Sequence, residues 1–236
     1  MRYLICLLIT LSAAQAEIKV FFSDGDIKVY DSMSVSGSKM NFSKKDSKGS
    51  INKNVSEIER IIQPAPPHVQ SMIKAFKMKK YDAISEKGGA VLKAYEQSGW
   101  GRLLTYIYST SLIRQGKVKE AVKVINAGRF LIKGGNEDED VLLNCALAES
   151  GLRIGKADEM IKKVPVTEFG KAAFYALQAK FLEAQNKPNL AVLSYYKAFM
   201  IGGNHPDCSE SLDSVNRIYK NLNDPRKVPE SLLTSK

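Results

Sequence analysis

The chain has 236 residues, of which 44% are hydrophobic, 25% charged and 8% aromatic. Those proportions fit a globular protein and exclude low-complexity disorder, which lacks the apolar surface to bury. The 35 Lys and Arg against 25 Asp and Glu give a net charge of +10, and the two histidines, His68 and His205, each touch a proline, which argues against a His-rich metal site or a His-based triad.

No run of about 18 apolar residues exists, so a multi-span membrane protein is excluded. Residues 1–16 read as a secretory signal peptide. Arg2 gives a positive start, Tyr3 to Leu11 is apolar but for Thr10, and Ala14 and Ala16 flank Gln15 at an A-x-A cleavage pattern. Cleavage there removes Arg2 and Cys6 and leaves Glu17 as the first residue, with a net charge of +9, from +10 minus Arg2. Cys145 and Cys208 remain. In an exported chain they either form one disulfide or stand apart, and Cys145 falls in a helix interior, where a thiol is usually a small buried hydrophobe.

Residues 17–63 read as a small antiparallel β meander or barrel. Ile18, Val20 and Phe22 alternate with Lys19 and Phe21, and Ile27 with Val29, Met33 with Val35 and Met40 with Phe42 continue the alternation. Asp24-Gly25, Ser36-Gly37-Ser38 and Asp46-Ser47-Lys48-Gly49 are turn signals. Ile58, Ile61 and Ile62 close the module as a short helix or strand. This part carries a net charge of +1, from eight Lys/Arg and seven Asp/Glu, so the remaining +8 belongs to the helical part of the chain. The prolines at 64, 66 and 67 form a stiff linker, residues 64–67, because proline fixes φ and lacks a donor.

From residue 68 to 222 the apolar period becomes helical. Helices are expected at 67–78, 81–97, 101–115, 117–133, 138–153, 156–164, 168–185, 188–201 and 207–222, with a loose tail at 223–236. Phe130 to Asn136 recurs as Phe199 to Asn204, and the two asparagines lie 68 residues apart. The paired glycines after Phe130 and Phe199 are expected to end helices in the left-handed conformation. A second signature, Gly116-Lys117-Val118-Lys119-Glu120-Ala121, has its counterpart at Asn186-Lys187-Pro188-Asn189-Leu190-Ala191. Ala121 with Ala191, Gly128 with Ala198 and Ser109 with Ala179 are matched small positions, and Ile125 with Tyr195 are matched large ones.

These segments resemble the turns and small-residue positions of tetratricopeptide repeats, over about two thirds of the chain. The family's early helix-A tryptophan is absent and Gly-Gly stands where its proline follows helix B, so the repeats are degenerate. The resemblance implies an α+β protein, mostly α, with an antiparallel helical-hairpin array (a tetratricopeptide-like solenoid) behind the β module. It also implies a ligand groove lined by helix A of each pair: Tyr106, Thr110 and Arg114, then Cys145, Glu149 and Arg153, then Lys180 and Glu183. Arg114 and Arg153 fall at the same repeat position, where guanidinium forks suit carboxylates. Both also lie in last helical turns, where cations favour the helix dipole.

The P-loop, G-x-S-x-G, Cys-x-x-Cys and H-E-x-x-H patterns are all missing, so no catalytic residue, metal or cofactor is expected. The expectation is an exported scaffold or adaptor, periplasmic or secreted and most naturally in a bacterial cell envelope. It would bind a protein or peptide, acidic if the arginines act as anchors. An anionic membrane surface suits the charge, whereas nucleic acid does not suit an exported chain. The alternative is a structural, self-assembling component that forms homo-oligomers.

Overall fold

The computed structural model describes residues 17–45, 49–135, 139–153, 168–201 and 206–228. The expected signal peptide, the 156–164 helix and most of the tail lie outside them, as do the side chains of Arg153 and Cys208. The fold is α+β and mostly helical, and the chain divides into two compact units between Pro64 and Ala65.

The first unit holds six strands: β1 (Ile18–Phe22), β2 (Ile27–Tyr30), β3 (Ser32–Ser36), β4 (Lys39–Ser43), β5 (Ser50–Asn54) and β6 (Ile58–Ile62). They form two three-stranded antiparallel sheets, ordered β2-β1-β6 and β3-β4-β5. A simple meander is therefore corrected, because β6 returns to pair with β1. The chain changes sheet at Asp31, between β2 and β3, and at one 3-10 turn, Val55–Glu57, between β5 and β6. Such corners let two small sheets face each other. Phe42 of one sheet stacks on Tyr30 at 4.9 Å and meets Phe22 edge-on at 6.3 Å.

Val20, Met40 and Phe42 are fully buried, with Ile18, Phe22, Ile58 and Ile61 around them. The parity of β2 is the opposite of its apolar pattern. Tyr30 points in, while Ile27 and Val29 stay exposed. The register explains this: Ile18 and Val20 pair with Tyr30 and Lys28, which puts Ile27 and Val29 on the outer face opposite Phe21 and Lys19.

The corner before β6 carries an acid-sensitive contact. Glu57 accepts Lys53 Nζ at 2.9 Å and the Asn54 backbone and side-chain N–H groups at 2.9 and 2.8 Å. The lysine bond first, then the backbone bond, holds its pKa below the ordinary 4.5. A depressed carboxylate stabilises the fold above its unfolded pKa, and the contribution disappears as pH falls through the folded value. The β unit should thus lose stability as the pH falls below the ordinary carboxylate value of 4.5, and Glu57→Gln should reduce that loss in an acid titration followed by strand-amide NMR signals.

The second unit contains eight helices among the described residues: α1 (Pro67–Lys77), α2 (Tyr81–Tyr95), α3 (Gly101–Arg114), α4 (Val118–Gly128), α5 (Glu139–Arg153), α6 (Glu168–Ala184), α7 (Pro188–Ile201) and α8 (Pro206–Asn221). Three begin with proline, whose missing N–H has no intrahelical partner at that position. Each helix from α1 to α5 packs on its sequence neighbours, as do α6 to α8. Contacts two helices apart join α1 to α3, α3 to α5 and α6 to α8, and α5 meets α6.

Three turns between paired helices are built alike. Lys79, Gly116 and Asn186 take positive φ of 56°, 78° and 58°. The next residue, a lysine each time, donates its N–H five residues back: Lys80 to Ala75, Lys117 to Leu112 and Lys187 to Leu182, at 2.8–2.9 Å. This is the Schellman arrangement that satisfies the last helical carbonyls.

Helix α4 is shorter than its apolar pattern and stops at Gly128. Arg102 of α3, nearly buried, donates to the carbonyls of Arg129 and Leu131 at 2.9 and 2.8 Å and pairs with Asp140. Those carbonyls are thereby drawn out of the helical ladder. Gly134, expected as a left-handed helix end, is not one. It lies in the following loop because its Cα passes against the Gly99 carbonyl.

Two apolar clusters fill this unit. One is built from α1 to α5 around Leu104, Ile113 and Ile125. The other comes from α6 to α8 and Val228 around Tyr195, Leu212 and Val215. Ser109, Ala121, Ala179, Ala191 and Ala198 are fully buried, and a methyl at Gly128 would overlap Thr105, so all these positions need small residues.

Candidate functional site

Helical spacing aligns the polar side chains of five helices on one concave surface. Glu210, Ser214 and Arg217 follow i, i+4, i+7 spacing on α8, and Lys180 and Glu183 share a face of α6. With Arg114 at the end of α3, Glu149 of α5, and Ala184 and Tyr195, they line a cleft of about 330 Å³. Among the described residues, three cations and three carboxylates thus face one space.

The charges are paired across helices. Arg114 binds Glu149 at 2.9 Å and Glu210 at 3.1 Å, joining α3 to α5 and α8. Lys180 adds a second cation to Glu149 at 3.5 Å. Arg217 grips both oxygens of Glu183, at 2.8 and 2.9 Å, and the buried Tyr195 hydroxyl donates to the same carboxylate at 2.7 Å. Burial, then the bond to Glu183, pushes the Tyr195 pKa far above its ordinary value. The bond to Glu183 also raises the Arg217 pKa. The side chains of Glu149 and Lys180 are only 6% and 17% exposed, so these charges interact more strongly than a surface pair would.

At one edge the cleft is closed by contacts between residues distant in sequence. Glu210 accepts the Tyr81 hydroxyl at 3.0 Å and lies 3.9 Å from Lys79, while Lys79 reaches Asp213 at 3.4 Å. These polar contacts tie the turn before α2 to α8.

Four of the residues expected in a groove, Arg114, Glu149, Lys180 and Glu183, meet in this cleft. Tyr106 and Thr110 do not. They are 3% and 2% exposed, and Tyr106 packs edge-on against Phe76 in the first apolar cluster at 5.6 Å. Cys145 is likewise buried. The side chain of Arg153 lies outside the described residues, as does that of Cys208, so the two alternatives for Cys145 and Cys208 stay open. Glu210, Ser214, Arg217 and Tyr195 were not anticipated. The polar i, i+4, i+7 stripe on α8 is the sequence signal that marks three of them.

Among the described residues no cluster of His, Cys, Asp or Glu could hold a metal ion, and no helix is long and apolar enough to cross a membrane. Scans against protein-family models, curated proteins and solved structures each return no match.

Proposed function

We propose that the chain is an exported, non-catalytic protein-binding scaffold whose helical unit is a tetratricopeptide-like array. The observation that carries this reading is the cleft formed by Arg114, Glu149, Lys180, Glu183 and the α8 stripe. It is concave, charged and built from side chains of several helices of the unit, the surface on which helical arrays take up peptide segments. The three identical helix turns and the buried small residues support the repeat reading. The signal-like first sixteen residues support export, and a cell envelope is the compartment that fits both. Fold analogy alone does not carry function, so the cleft is the part to test.

Capture from the native cell extract, read by mass spectrometry, should recover one enriched protein with the intact chain. Lys180→Ala with Arg217→Ala should lose it while the helical circular dichroism signal stays. Equal capture by the variant removes the cleft from the reading.

A second reading, self-assembly, is favoured by exposed apolar side chains outside the cleft: Phe130 at 91%, Met200 at 76% and Leu193 at 58%. Sedimentation mass that rises with concentration supports it, and a constant monomer mass rejects it.

A further inference from the structure

We propose that the cleft takes a short ligand carrying one ammonium and one carboxylate a few ångströms apart, rather than an acidic one. This deepens the scaffold reading and rests on it. The balance of charge comes first. Among the described residues, Arg114, Lys180 and Arg217 face Glu149, Glu183 and Glu210 across the same space, and the additional pair at the edge, Lys79 with Asp213, is also neutral. A purely acidic segment meets as many carboxylates as cations and gains nothing from the field. A ligand with both poles can exchange a protein–protein pair for two protein–ligand pairs and leave no charge stranded.

Size comes second. A volume of about 330 Å³ lies at the small end of ligand sites. It holds two or three residues, not a folded surface. Exposure comes third and orients the ligand. Arg217 is the most open cation of the lining, at 54%, and its fork lies on Glu183 beside the Tyr195 hydroxyl. It would receive the carboxylate on its outer N–H groups, with the Ser214 hydroxyl beside it. Glu210, at 22% exposure, and Glu149 lie toward Arg114 and would receive the ammonium.

Two sources supply this chemistry: the free ends of a short peptide, and neighbouring Lys and Glu side chains within a longer protein segment. Isothermal titration of the full chain in about 50 mM salt, where exposed charges are weakly screened, separates them. The probes are Ala-Ala-Ala with free ends, acetyl-Lys-Ala-Glu-amide, acetyl-Glu-Ala-Glu-amide and acetyl-Ala-Ala-Ala-amide. At least one of the first two should bind at least about tenfold more tightly than both of the others, since one well-placed charge pair is worth about that factor. Arg217→Gln, a change at an exposed position, should remove that preference while the thermal midpoint stays close to that of the parent.

Binding of the acidic peptide equal to or tighter than that of both two-pole probes overturns the proposal, as does a heat signal from neither. If a photo-cross-linker at Ala184 still captures a protein partner in that case, only the ligand class falls. If that capture fails too, the scaffold reading falls with it.

Discussion

Replacing Glu149 by alanine is expected to destabilise the helical unit by about 3 kcal/mol, the lower end for removing one partner of a buried ion pair. Glu149 is the carboxylate shared by Arg114 and Lys180, at 2.9 and 3.5 Å, and its side chain is only 6% exposed. The two cations are themselves mostly buried, at 19% and 17% exposure. Without the carboxylate the two cations lose their shared partner in a poorly solvated space, although Arg114 keeps Glu210. For a chain of this length the loss corresponds to a thermal midpoint lower by roughly 6–12 °C. Removing all three charges, as Arg114→Met, Glu149→Leu and Lys180→Met, should restore part of the loss, because apolar groups need no pairing and Glu210 keeps the Tyr81 hydroxyl and Lys79. Differential scanning calorimetry of the single and triple variants checks this. A single variant within about 0.5 kcal/mol of the parent, the range of ordinary surface changes, would show that water already solvates these charges.

Gly134→Ala is expected to cost about 3 kcal/mol, from overpacking together with a disrupted buried hydrogen bond. A Cβ there would stand 2.0 Å from the Gly99 carbonyl oxygen and 2.6 Å from Glu139 Oε1. The nearer obstacle is backbone, so the loop itself must move. That movement breaks the bond from the Gly134 N–H to the Glu139 carboxylate, 2.9 Å long and buried. Gly116→Ala makes the useful comparison. Its Cβ meets open space, but φ is +78°, so only the left-handed penalty of about 1 kcal/mol applies. Urea unfolding of both variants should rank Gly134→Ala well below Gly116→Ala, and the reverse order would mean that the 134 loop yields easily.

The helices were legible because their signals are local. Apolar period, proline starts and the Gly116 and Asn186 turns placed α1, α2, α3, α6, α7 and α8 within two residues at each end. The end of α4 was not legible, because it is set by Arg102, a side chain of another helix reaching the carbonyls of Arg129 and Leu131. Strand existence was legible, but the facing of β2 was not. Ile27 and Val29 read as core until the pairing of Lys28 and Tyr30 with Val20 and Ile18 fixes the parity. The return of β6 to β1 is likewise a long-range pairing with no local signature.

The cleft follows the same division. Arg114, Glu149, Lys180 and Glu183 were found from repeat position alone. Tyr106 and Thr110 stand eight and four residues before Arg114 on the same helix. Each step of four advances about 40° around a helix of 3.6 residues per turn. Two steps turn Tyr106 by about 80° from Arg114, into the face that packs on Phe76. Glu210 and Arg217 escaped because α8 lies beyond the expected helix pairs and reaches the cleft only through tertiary packing.

The most direct test of the central claim is site-specific photo-cross-linking in the protein's own cells. A benzophenone side chain at Ala184, which lines the cleft and is exposed, is compared with one at Lys119, exposed on α4. A binding cleft gives one discrete heterologous adduct from position 184 and none from 119. No adduct at 184, or the same adducts from both positions, would contradict a binding cleft.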